Sequence, residues 1–226
     1  MRLIIIALVL LAGCGRALSE GEIRLTADVM GPSLDTAPIH MSRNPFIGLS
    51  TSTYAVRPPV TCRERIAPTP TGPTFTARTA GVVLFNRVLT SNDWTAPDYL
   101  PNYPEAINVV AAMYFAHEMT HVWQWQNRAV TGYHPLRAAA EHSRSDDPYL
   151  FDPAGDIPFL QMGYEQQASL VEEYVCCRTI APEGARTQRL WQKLSEVLEV
   201  TPPLQSSRPT RVTGIAAGAD LNGICD

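Results

Sequence analysis

His117-Glu118-Met119-Thr120-His121 sets two imidazoles four residues apart, with a carboxylate beside the first. On a helix, residues i and i+4 lie one turn apart on one face, so both rings reach a single metal ion. Glu118 then stands close enough to a metal-held water to take its proton, the arrangement that zinc-assisted hydrolysis needs. The chain has five histidines, and two of them fall at this spacing. Burying both without a partner is costly, so the pattern favours a zinc site over core packing. A third ligand is required. The extension that ends in a third histidine is missing, because positions 124 and 127 are Gln124 and Asn127. A glutamate from a later helix, as in other zinc sites of two histidines and one glutamate, is the expected third ligand. Glu165, 44 residues after His121, is the preferred choice, and Ala168 one turn on lets two helices approach closely. Glu172 lies seven residues after Glu165 on the same face and either replaces it or orients an imidazole from behind. Glu173 points the other way and is expected in solvent.

These residues need a scaffold. Asn102 as cap, Pro104 in the first turn and Glu105 three residues on predict a helix from there to about Val130, stopped by Gly132. Residues 106–125 are apolar on nearly every face, which means a buried helix. Trp123 and Trp125 belong to the core or the cleft wall. A second helix is expected over 158–179, ended before Pro182, and a third over 185–199, ended by Pro202-Pro203. A short helix fits 136–142. Residues 81–90 read as the best strand, with weaker ones near 52–56. The expected fold class is α+β: a mainly helical, zincin-like domain over 80–200, with an active-site helix, a Glu-bearing helix and a small sheet with an edge strand. Residues 14–79, rich in Pro, Thr and Ser, read as a tether and extended wrap, and 201–226 as an irregular tail.

The first 13 residues carry Arg2 followed by an apolar run to about Ala12. The run is too short to span a bilayer, which takes about 20 residues, and matches a secretory signal. Its end, Leu11-Ala12-Gly13-Cys14, resembles the bacterial lipobox, which implies cleavage before Cys14 and a lipid on its thiol. With no Asp after the Cys, an envelope lipoprotein on the outer membrane facing the periplasm is expected. Cys62, Cys176, Cys177 and Cys225 remain, an even number that suits two disulfides in an oxidising compartment. Adjacent Cys176 and Cys177 are each expected to reach outward, to Cys62 or Cys225. The net charge of −4 over 226 residues excludes a nucleic-acid partner of the usual basic kind. With 45% hydrophobic residues the chain can build a core and is not a disordered segment.

The block Ala116-His117-Glu118-Met119-Thr120-His121-Val122-Trp123-Gln124, with the later Glu165-Gln166-Gln167-Ala168, resembles a group of small bacterial zincin-like proteins found beside secretion-spike and envelope systems. The likeness covers about residues 80–178, but not the lipobox, the cysteines or the N-terminal region. It implies a gluzincin-like zinc site of His117, His121 and Glu165, with Glu118 as base. The expected activity is hydrolysis of a protein or peptide bound along the edge strand. Tyr164 and His134 are the first candidates for stabilising the transition state, with Tyr133 and His142 behind them. The alternative is a non-catalytic, zinc-stabilised envelope module that binds a partner. Oligomeric state is left open.

Overall fold

The computed structural model describes residues 15–204 and 209–226, so the lipobox and the lipidation site expected at Cys14 lie outside it. The architecture is α+β. Helix α1 (Glu20–Met30) precedes strand β1 (His40–Arg43), β2 (Thr51–Ala55), a short α2 (Cys62–Ile66) and β3 (Thr74–Arg78). Strands β4 (Gly81–Leu84) and β5 (Arg87–Thr90) follow, then β6 (Ala106–Asn108), which runs into the long helix α3 (Val109–Gln126). One further turn, α4 (Arg128–Thr131), leads to α5 (Pro135–Arg144), α6 (Tyr164–Ile180), α7 (Ala185–Ser195) and β7 (Arg211–Thr213). Among the described residues no helix is long and apolar enough to cross a membrane.

Helix α3 is the buried axis of the domain. Ala112, Phe115, Met119 and Val122 are almost wholly enclosed, and α6, whose Ala168, Val171 and Val175 are also buried, packs against this helix. The near-absence of a polar face on α3 follows from burial on nearly all sides. The helix starts later than Asn102 predicts. Residues 106–108 are taken into a parallel pairing with β7, Tyr103–Pro104 is a cis turn, and Asn108 caps the helix by accepting from Ala111 N. Tertiary pairing outbids the local signal. The tail is accordingly not wholly irregular, since it supplies β7 and Cys225.

The expected strand over 81–90 is a hairpin. Phe85, at φ 62°, and Asn86 turn the chain, and Val82 pairs with Leu89. The sheet order β1-β5-β4 leaves β4 at one edge. Much of the expected tether is also folded. Ser19 and Glu22 form a reciprocal capping box on α1, whose Leu25, Val29 and Met30 enter the core. Gly21 is required in that helix because a Cβ would collide with the Leu100 carbonyl. The Pro-rich stretches are left to the exposed β2–β3 hairpin and its flanks.

Two disulfides hold α6. Cys176 joins Cys62 and Cys177 joins Cys225, so the adjacent cysteines reach in opposite directions. They close loops of 114 and 48 residues, which stabilises the fold by about 5 and about 4 kcal/mol on chain-entropy grounds.

Candidate metal centre

His117 and His121 project from one face of α3 toward Glu165 in the first turn of α6. His117 Nε2 and His121 Nε2 are 3.2 Å apart, and Glu165 Oε2 lies 3.2 Å from the first and 3.3 Å from the second. Three corners of a tetrahedron with metal–ligand distances of about 2.0–2.1 Å are separated by about 3.3 Å. The triangle already has that size.

The surrounding hydrogen bonds decide which ring nitrogen faces the centre. Gln167 Nε2 donates to the Met162 carbonyl at 3.0 Å, and Gln124 Nε2 donates to the Tyr164 carbonyl at 3.0 Å. Carbonyls only accept, so both amide orientations are determined, and Gln167 Oε1 takes a second bond from Gln124 Nε2 at 3.0 Å. Gln124 Oε1 is left facing His121 Nδ1 at 2.8 Å, which must carry the proton. On the other ring, His117 Nδ1 lies 3.3 Å from Glu172 Oε1, an ion-pair separation too loosely aligned for a hydrogen bond. Arg63 Nη1 holds the second oxygen of Glu172 at 2.9 Å. The His121 Nε2 lone pair therefore turns inward, and the carboxylate of Glu172 beside His117 Nδ1 favours the same tautomer on that ring. Glu165 Oε1 accepts from His142 Nε2 at 3.1 Å, whereas Oε2 is buried with no hydrogen-bond partner among the described residues. Three acceptors converge with no donor among them, and a cation is what such a site is built to receive.

Without a metal, protons fill that role. Burial opposes charging His117, but Glu172 and Glu165 outweigh it and raise its pKa to about 10. Burial likewise opposes ionising Glu165, yet His121, His117 and His142 hold it well below the usual carboxylate range. Burial pushes Glu118 above the ordinary carboxylate value, offset in part by His117 and His121. A metal must displace at least the His117 proton. Affinity for a divalent metal should therefore fall about tenfold per pH unit as pH drops below about 10. Chelator competition at several pH values, with proton release followed by calorimetry, checks this; a flat profile would show that His117 is already neutral.

The elements that place these groups differ in part from expectation. Glu141 of α5 caps α6 by accepting from Tyr164 N and Glu165 N at 2.9 and 3.1 Å, so α5 serves the ligand through both Glu141 and His142. Glu173 is not in solvent but 1% exposed, accepting from Cys62 N at 2.7 Å and Arg186 Nη1 at 3.0 Å. It ties α6 to α2 beside the disulfide, and so helps to hold Arg63 against Glu172. Tyr164 and His134 do not face the centre as free donors. The Tyr164 hydroxyl donates to the Gly132 carbonyl at 2.9 Å, and exposed His134 caps α5 through Nδ1. Two other tyrosines flank the histidines instead. Tyr133 lies 6.2 Å from the His121 ring and Tyr149 lies 5.9 Å from the His117 ring, between centroids. Among the described residues neither phenol oxygen has a hydrogen-bond partner. Tyr149 gave no local signal in the sequence, since it sits in a loop with no motif around it. Cys62, Cys177 and Cys225 also cluster, but their sulfurs are tied up in disulfides and offer no thiolate to a metal.

Glu118 is 4% exposed and lies between α3 and β4. Gly81 opens β4 directly against it. A Cβ at position 81 would fall 2.7 Å from Glu118 Cδ and 2.7 Å from the Tyr114 hydroxyl.

No family model matches the sequence. No curated protein matches it either. The fold is similar to a solved structure, the effector domain of Pseudomonas aeruginosa VgrG2b, at TM-score 0.52 and 22% identity, over 80% of this chain and 84% of that one. At that identity the likeness concerns the fold.

Proposed function

We propose that the chain is a zinc-dependent peptidase with a zincin-like fold of the gluzincin type, held at the outer membrane facing the periplasm through a lipid on Cys14. The observation that carries it is the convergence of His117 Nε2, His121 Nε2 and the unpartnered Glu165 Oε2 at tetrahedral spacing, with Glu118 beside them. Two nitrogens and one carboxylate oxygen suit zinc better than calcium or magnesium, which prefer all-oxygen shells. When bound, zinc supplies a Lewis acid that acidifies a water and polarises a carbonyl. Glu118 would take a proton from the attacking water and pass it to the leaving amine. The Tyr133 and Tyr149 phenols are the donors available to the developing oxyanion. The outer edge of β4, which no other described strand pairs with, aligns an extended peptide beside Glu118.

The purely structural role for zinc is less well supported, because the disulfides and the shared core already join α3, α6 and the tail. A fold similar to an effector domain is compatible with a macromolecular target. Metal analysis combined with a proteome-wide cleavage screen tests the reading. Stoichiometric zinc with specific new protein termini is expected, and zinc without any cleavage would favour the binding module. Gly81→Ala should lower turnover about 100-fold by displacing Glu118, with metal affinity unchanged. Steady-state kinetics beside metal titration check this, and loss of metal would mean that the substitution disturbs the whole helix.

A further inference from the structure

We infer that the protein lies directly on the membrane to which its N-terminus is anchored, with the loop over residues 45–49 dipping into the lipid interface. The inference rests on the lipid anchor proposed at Cys14 and adds an orientation to it. Gly15, the next residue, already lies against the folded body. A Cβ on Gly15 would fall 2.5 Å from Ser42 Oγ and 3.0 Å from His40 Cβ, so its backbone lies flat on β1. Arg16 exchanges two backbone hydrogen bonds of 2.9 Å with Met41, and its guanidinium makes two bonds of 2.7 Å to the fully buried Glu22. A flexible linker would let the domain tumble above the bilayer. Here no free residue separates Cys14 from the clamp.

The surface beside that clamp has the chemistry of a lipid contact. Residue Asn44, which follows β1, bonds to Thr90, and the chain then reads Pro45-Phe46-Ile47-Gly48-Leu49, five residues without a polar side-chain atom. Phe46 is 76% exposed and Leu49 74%. A run of exposed apolar residues in a loop is a liability in water and marks a contact surface. Exposed Arg43 precedes the loop, and exposed Arg78 pairs across from Thr51 just beyond it, both suited to anionic headgroups. The adjoining 91–98 loop carries Asp93 and Asp98, the latter accepting from Ser19 Oγ and Leu100 N, so insertion of apolar side chains carries the contact more than charge does. In the sheet order β1-β5-β4, the clamped edge and the edge beside Glu118 are two strand spacings apart, about 10 Å. Substrate is then a polypeptide that comes close to the membrane surface.

The test uses the full chain, acylated in its host and reconstituted into phosphatidylethanolamine–phosphatidylglycerol vesicles, with and without brominated acyl chains. Leu49→Trp adds an emitter in the loop; Phe85→Trp adds one at the β4–β5 turn, the opposite end of the sheet, and wild type supplies the background. Bromolipid should remove roughly half of the emission added at 49 and little of that added at 85. An acylated protein in which the residue 49 emission is unquenched, or is quenched no more than that at 85, overturns the orientation while leaving the anchor intact. Mass spectrometry that finds no acyl group on Cys14 overturns the anchor, and the orientation with it.

Discussion

Glu118→Gln should lower turnover by roughly three orders of magnitude while zinc stays bound and the melting temperature changes little. The carboxylate is enclosed between α3 and Gly81, and burial raises its pKa above the ordinary carboxylate value, offset in part by His117 and His121. Gln keeps the volume and the oxygen but cannot take a proton. Because Glu118 is outside the ligand triangle, metal content should be untouched. Kinetics on a substrate delivered by the cleavage screen, beside zinc analysis of the same sample, decide the matter. Full activity with zinc retained would rule out Glu118 as the base.

Glu165→Ala should weaken metal binding by roughly 10³-fold or more, because it removes one of three protein ligands and leaves two imidazoles facing an empty corner. Glu172→Ala should cost about 10–100-fold, since Glu172 acts on the metal only through His117. The contrast is sharpened by Arg63, which engages Glu172 and keeps it turned away from the triangle. Chelator competition on both variants gives the two affinities directly. If Glu172→Ala proved the more damaging, the ligand assignment would have to be exchanged between the two carboxylates.

Part of the candidate ligand set was legible in the sequence because helix geometry is local. His117 and His121 share a face by spacing alone, whereas Glu165 was preferred with Glu172 left open, and the structure brings Glu165 to within 3.3 Å of both imidazoles. The outward pairing of Cys176 and Cys177 was legible for a similar reason, although which partner each took was not. Glu173 shows where the reasoning stopped. Its position on α6 argued for solvent, but α2 returns over that face and covers it. Tyr164 and His134 were attractive by type and place, yet backbone groups near Gly132 and Leu136 claimed them. The Ser/Thr-x-x-Glu signals before α1 and α2 were present, at Ser19 and Thr61, in a region whose prolines suggested an open wrap.

By itself the sequence determined that two imidazoles share one helix face with Glu118 beside the first, because those properties depend on residue type and a 3.6-residue period. Only the tertiary structure decided how the ligands are held. The Gln124–Gln167 chain, the Arg63–Glu172 pair and the His142 contact each join side chains from different elements, and their separations in sequence carry no periodic signal. The same holds for β6, which pairing with the distant β7 withdraws from the start of α3, and for Gly15 and Arg16, which a tether reading leaves free and β1 holds down. Contacts between distant segments depend on the packed shape of the whole chain, and that shape exists only once it has folded.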